Sequence, residues 1–206
     1  IALTYSMGDG ISKITTLGRV EGRGVLSREG AGKHIGGGTQ VFDQIRESKL
    51  PAVLIPGLHR SSPTDARFRV YSHQASPEKI GIAYRVSDDL GRDFIVSDVS
   101  SNTVTLLVKD GKIAGGFDAC LFAPGLEHGA LDVDAIRRVD AAMSTANEAF
   151  LRAGVNYTLP ESERLSALAL FSAMECAALL LLNPCARIAL AGSITPFISR
   201  EVSDLL

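Results

Sequence analysis

Residues 93–126, DFIVSDVSSNTVTLLVKDGKIAGGFDACLFAPGL, constrain the fold more than any other part of the chain. Apolar runs at Phe94-Ile95-Val96, at residues 104–108 and after Lys112 are separated by two polar turns. The second turn, Lys109-Asp110-Gly111-Lys112, carries Asp-Gly, and its glycine accepts a positive φ at no steric cost. That dipeptide between strand-like runs is the strongest short-range hairpin signal, so the stretch is expected to be a β-meander. The first turn gathers Asp98, Ser100, Ser101, Asn102 and Thr103 into one corner. Converging backbone N–H groups and hydroxyls suit phosphate oxygens there, and a carboxylate can hold a hydrated Mg2+ beside them. The same residues also make an ordinary turn whose hydroxyls cap their own backbone. The corner alone leaves both readings open.

The flanking chain alternates strands and helices. Residues 1–5 read as the middle of a buried strand and lead into Gly8-Asp9-Gly10, a strand-end loop where open α/β sheets bind ligands; Asp9 is a substrate candidate or a turn aspartate. The glycine-rich run GAGKHIGGGT places Lys33 and His34 at its centre, but Ser27 and His34 stand where a P-loop needs glycine and Ser or Thr. A substrate loop or a surface loop remains. Val41, Phe42 and Ile45 predict a short helix over 39–48 with Thr39 as N-cap. A buried strand over 52–55 ends in Pro56-Gly57-Leu58-His59-Arg60, and His59 with Arg60 is a clamp for a carboxylate or phosphate, or a solvated pair. Residues 68–73 end at His73, and a helix over 76–90 follows with Pro77 at its first position.

After the meander, helices are expected over 131–141, over 145–154 stopping at Gly154, and from Pro160 to about Leu182 with acidic residues in the first turn. A short strand over 187–190, the turn Ala191-Gly192-Ser193 and a last helix complete the pattern. Gly192 lets a flat ring approach the main chain, and Ser193 can hydrogen-bond it. Such turns are common in α/β proteins.

Composition removes several classes of function. With 21 basic and 23 acidic residues well mixed, there is no electrostatic footprint for nucleic acid and no polybasic membrane patch. Cys120, Cys176 and Cys185 form no C-x-x-C pair and fit buried thiols in a reducing compartment. His34, His59, His73 and His128 carry no zinc spacing. Residues 165–182 are apolar enough to raise a membrane span, but Glu175 and several serines within them favour a buried helix. A cytoplasmic enzyme or binding protein acting on small molecules is the expected class.

Taken together, a polar Asp corner in a meander followed by helices and a strand with a Gly-Ser turn resembles the actin, sugar-kinase and acetate-kinase superfamily. The acetate kinase branch is similar over residues 52–59, 67–73 and 117–132. Nearly the whole chain resembles the methanogenesis marker protein 12 family of archaea, through stretches such as ALTYSMGDGI, IPGLHR, SHQASPEKI, SDVSSNTVTLLVKDGKI, FDACLFAPGL, HGALD and TANEAF. The resemblance implies an α/β actin-like ATPase (ribonuclease H-like) fold, preceded by a segment with an Asp-Gly-Thr phosphate loop that would lie ahead of Ile1. It implies ATP and Mg2+ as cofactors. Ser100, Ser101, Asn102 and Thr103 would then cradle phosphates with Asp98 orienting the metal, and Gly192 with Ser193 would lie under adenosine. His59, Arg60 and His73 would face an anionic substrate, with His59 and Arg60 joining Asp98 as catalytic residues and Asp9 as a further substrate residue.

Three departures from the pattern matter. Ala191 replaces the usual first glycine of the adenosine turn, Pro56-Gly57 stands where acetate kinases keep an aspartate, and Gly129-Ala130-Leu131 stands where they keep an arginine. Losing both charged groups removes charge stabilisation that phosphoryl transfer uses. The expected organisation is a partial N-terminal subdomain over 1–75 and a nucleotide-binding subdomain over 76–206. The expected function is an ATP-binding, phosphotransferase-like protein. The alternatives are a regulatory or assembly factor that hydrolyses ATP without a small-molecule acceptor, and a scaffold without nucleotide. Expected partners are a nucleotide, a small carboxylate and a second copy of the chain.

Overall fold

The computed structural model describes residues 1–4, 10–24, 37–184 and 186–206. Asp9, the centre of the glycine-rich run with Lys33 and His34, and Cys185 lie outside the described residues. The chain separates into two compact units, Ile1–Gly81 and Ile82–Leu206.

In the first unit, strands β1 (Ala2–Thr4) and β2 (Thr15–Thr16) precede helix α1 (Gly37–Glu47) and strand β3 (Val53–Ile55). β3 is central, parallel to β1 and antiparallel to β2. Leu3, Leu17, Val20, Phe42, Ala52 and Leu54 form its core, with Ile45 packed against them. α1 begins two residues before Thr39, which is buried inside the helix and is not its N-cap. Two glycines can occupy a first helical turn without side-chain support, so the boundary carries no polar signal. Asp43 on α1 accepts from Arg23 Nε at 3.0 Å and Arg23 Nη2 at 2.5 Å. Strands β4 (Leu58–His59) and β5 (His73–Ala75) form a separate ribbon, and helix α2 (Pro77–Leu90) follows with proline at its start as expected.

The second unit is built on the predicted meander: β6 (Phe94–Val99), β7 (Thr103–Lys109) and β8 (Lys112–Phe117). Asp110 and Gly111 both have positive φ, 54° and 73°, and Lys109 pairs with Lys112. This is the two-residue hairpin whose backbone twist matches that of the strands it joins. Helices α3 (Val133–Asp140), α4 (Ala146–Phe150), α5 (Val155–Thr158) and α6 (Glu161–Leu180) lead to strand β9 (Arg187–Ala191) and helix α7 (Thr195–Leu205). The sheet order is β8-β7-β6-β9, with β9 parallel to β6.

All six residues of β6 are buried, as a strand paired on both sides requires. Side chains alternate between faces along it, so Ser97 and Val99 share one face and Asp98 takes the other. Val99 packs with Leu168, Ala169 and Ala173 of α6 and with Ile198 and Val202 of α7, which places both helices on the Ser97 face.

One helix expectation in this unit changes. The helix predicted over 145–154 divides: α4 starts at a Thr145–Glu148 capping box and ends at Phe150, and Gly154 caps the start of α5. Gly154 packs closely on Leu126 and Glu127 and its N–H donates to Glu127 O at 2.9 Å, so it is a contact point and not a helix stop. No helix among the described residues is long and apolar enough to cross a membrane.

Candidate functional site

β6 and β9 run side by side with Asp98 opposite Ala191, so both strands leave the sheet at the same end. From that end β6 turns through residues 100–102 into β7, and β9 turns through Gly192 and Ser193 into α7. Gly192 has φ +96°, and a Cβ on it would fall 2.5 Å from Asp98 Oδ1 and against the Val99 carbonyl. Only glycine lets the turn come this close to the corner. Ile194 N donates to Val99 O at 3.2 Å and fixes the approach. Asp98 is 6% exposed at this junction, whereas Ser101, Gly192 and Ser193 are exposed.

The shape of the corner comes from a second segment. Leu126 N donates to Ser100 O, and Glu127 N and His128 N both donate to Ser101 O, each at 2.9 Å. In a trans peptide plane the N–H points opposite to the carbonyl, so the N–H groups of Ser101 and Asn102 point to the other side of the turn. Gly125 permits the stacking: a Cβ there would fall 2.5 Å from both Asn102 N and Ser101 O. The segment is itself held. Asn156 Nδ2 donates to Glu127 Oε1 at 2.6 Å, and hydrogen bonds from Tyr157 and Asn156 hold the Glu127 carboxyl below its usual range. His128 stacks on Phe150 with ring centroids 5.0 Å apart, and burial lowers its pKa.

The residues expected to contact phosphate therefore divide. Ser100, Ser101 and Asn102 form the turn, with Ser101 outermost. Thr103 is fully buried, and its Oγ1 donates to Pro124 O at 2.7 Å, so it braces the corner from behind and does not line it. Among the described residues no group of three His, Cys, Asp or Glu could hold a metal ion. A cation at this corner would take Asp98, water and ligand oxygens, which is how Mg2+ is ordinarily held beside phosphates. The donor set fits Mg2+ and not zinc.

In the first unit, His59 and His73 are register partners across the β4–β5 ribbon. His59 is 3% exposed, its Nε2 donates to Ile11 O at 2.5 Å and its Nδ1 accepts from Ser61 N at 3.3 Å. Arg60 is exposed, and its guanidinium donates to Arg69 O at 3.0 Å and Val70 O at 3.5 Å. Both groups, expected to clamp an anion, are engaged by their own unit. His73 is half-buried.

One buried group was missed as a site residue. Glu175 on α6 is 1% exposed; its Oε2 lies 2.6 Å from Thr105 Oγ1, and its Oε1 accepts from Ala123 N at 3.1 Å. The signal available was a lone glutamate in an apolar helix, which in the sequence served only to weigh against a membrane span.

No family model matches the chain. A UPF0285 protein of Methanosarcina mazei is 50% identical over 199 residues, covering 88% of this chain and 61% of that protein. A UPF0285 protein of Methanococcus maripaludis is 48% identical over 230 residues, covering all of this chain and 71% of the relative. The chain belongs to the UPF0285 family. This family member spans about three fifths of the Methanosarcina mazei relative. Acetate kinase from Entamoeba histolytica matches its structure with a TM-score of 0.58 at 7% identity, over 81% of this chain and 55% of that one. At that identity the likeness is one of fold: the UPF0285 chain has the actin-like ATPase fold that the acetate kinase resemblance implied.

Proposed function

We propose that the chain is the nucleotide-gripping part of an ATP-dependent, phosphotransferase-like protein of methanogenic archaea, acting in the cytoplasm. The observation that carries this reading is the closure of the Asp98 corner against the Gly192 turn at the shared end of β6 and β9. In this reading the Ser101 and Asn102 N–H groups and the Ser100 and Ser101 hydroxyls bind the β- and γ-phosphate oxygens, Asp98 orients a hydrated metal beside them, and Gly192 and Ser193 lie under the adenosine. Bound Mg2+ supplies charge neutralisation at the β- and γ-phosphates.

A second reading has specific support. His59 and Arg60 are tied to Ile11, Arg69 and Val70, and neither acetate kinase charge is present at Pro56-Gly57 or at Gly129-Ala130-Leu131. That favours an ATP-gated regulatory or assembly factor over a carboxylate kinase. Thermal shifts of the full-length protein with Mg-ATP, Mg-ADP and short-chain carboxylates separate the two. Stabilisation by nucleotide and carboxylate supports the kinase, stabilisation by nucleotide alone supports the factor, and no shift with either contradicts nucleotide binding.

A further inference from the structure

Glu175 lies on the opposite face of the sheet from Asp98, and its contacts lead to the underside of the corner. Its Oε1 accepts from Ala123 N; the next residue, Pro124, offers its carbonyl to Thr103 Oγ1; and the next, Gly125, is stacked on the peptide of Ser101 and Asn102. Three consecutive residues are thus pinned to α6, to the start of β7 and to the corner itself. On its other side Glu175 Oε2 meets Thr105 Oγ1, which lies 2.9 Å from Ser97 Oγ, itself 2.9 Å from Ser172 Oγ. Ser97 directly precedes Asp98.

We propose that Glu175 is a positioning residue for the corner, holding Ala123 and the Ser97–Thr105 hydroxyl pair so that residues 100–102 keep the shape that receives phosphate. This rests on the nucleotide-binding reading for its consequence but not for its geometry. Each hydroxyl has one proton, so the chain runs in a single direction. A neutral Glu175 can give its carboxyl proton to Thr105, which leaves the Thr105 proton for Ser97 and the Ser97 proton for Ser172. With a charged Glu175, the order must reverse and Thr105 must give its proton to the carboxylate. A carboxylate this deep, with a hydroxyl and one N–H as its partners among the described residues, is poorly compensated.

The ionisable groups facing Glu175 add to this. Asp118 raises its pKa further, and among the described residues no positive group counters it. Burial first, and Asp118 after it, push the Glu175 carboxyl up to about 8, with the bonds from Thr105 and Ala123 acting the other way. The neighbouring Cys176 thiol is pushed up to about 12 by burial and by Glu175, and stays neutral throughout. Loss of the Glu175 proton therefore falls just above neutrality.

The test uses full-length protein and two readouts. The first is amide hydrogen exchange at Leu126, Glu127 and His128, corrected for intrinsic rates, between pH 6.5 and 9.5; it needs no ligand. The second is calorimetry with Mg-ADP over the same range. Wild type is expected to lose protection and at least threefold in affinity as pH rises through about 8. Glu175→Gln, which offers Ala123 an acceptor and Thr105 a donor without a titrating proton, should hold both readouts flat. Glu175→Ala should lower protection at every pH. A Gln variant that keeps the inflection, or one that matches Ala, overturns the proposal. Protection that behaves as expected while Mg-ADP fails to bind supports the positioning role and contradicts only the nucleotide reading.

Discussion

Gly192 is pressed against Asp98: the left-handed backbone at 192 brings the turn after β9 so close that a Cβ would come 2.5 Å from Asp98 Oδ1. Two strand ends distant in sequence become one surface through that contact. Gly192→Ala has to relieve both a φ of +96° and the overlap with the Val99 carbonyl. A non-glycine residue at positive φ costs about 1 kcal/mol before any overlap is counted. The variant is expected to melt at lower temperature than wild type and to lose its Mg-ADP-dependent thermal shift. An unchanged melting curve that retains the shift would show that the turn has room to move.

Glu175 gives the folding stability a defined dependence on pH. Its ordinary pKa near 4.5 rises to about 8 in the folded chain. Below the lower value both states hold the proton. Between the two only the folded state holds it, so this contribution to stability falls as pH rises; above about 8 both have released it and the loss is complete. The steepest slope is about 1.4 kcal/mol per pH unit. Denaturant titrations across pH 5 to 9 should show a decline in wild type that is shallower in Glu175→Gln. Parallel profiles would place the proton elsewhere.

Much of the second unit was legible in the sequence, and for physical reasons. The meander announced itself through Asp110-Gly111, because a two-residue turn leaves few backbone options, and in the first unit the start of α2 did so through Pro77, which is favoured at a helix start. The adjacency of the Asp98 corner and the Gly192 turn was not written in any local pattern. It arises from the parallel pairing of β6 with β9, a contact that periodicity does not encode. The same limit hid the roles of Thr103 and Glu175. A threonine in a polar turn reads as a ligand group until its partner, Pro124 O, is known. The glutamate in an apolar helix gave no hint of Thr105 and Ala123, which come from another strand and a loop.

His59 tests whether a conspicuous polar residue serves its own unit. With the ring buried and bonded to Ile11 O, His59→Ala is expected to cost about 1–3 kcal/mol of stability, the range for leaving a buried partner unsatisfied. Chemical denaturation measures it. A loss within about 0.5 kcal/mol, the span of ordinary surface substitutions, would free His59 for a substrate role.

Leu168 on α6 is fully buried in the cluster beneath Val99. Leu168→Ala is expected to cost about 2–5 kcal/mol by cavity formation, while Mg-ADP affinity, measured well below the melting temperature, stays within a few-fold of wild type. A large affinity loss without a stability loss would mean that this face of the sheet contacts the ligand.

The most direct measurement is calorimetric titration of full-length protein and its Asp98→Asn variant with ADP, with and without Mg2+. Asparagine keeps the size of the side chain at the corner and removes the charge. Wild type is expected to bind ADP more tightly with Mg2+ than without it, and the variant to lose at least tenfold in affinity and to respond little to the metal. Equal, Mg2+-sensitive binding by both proteins would contradict the assignment of the β6 corner as the site that holds the metal and the phosphates.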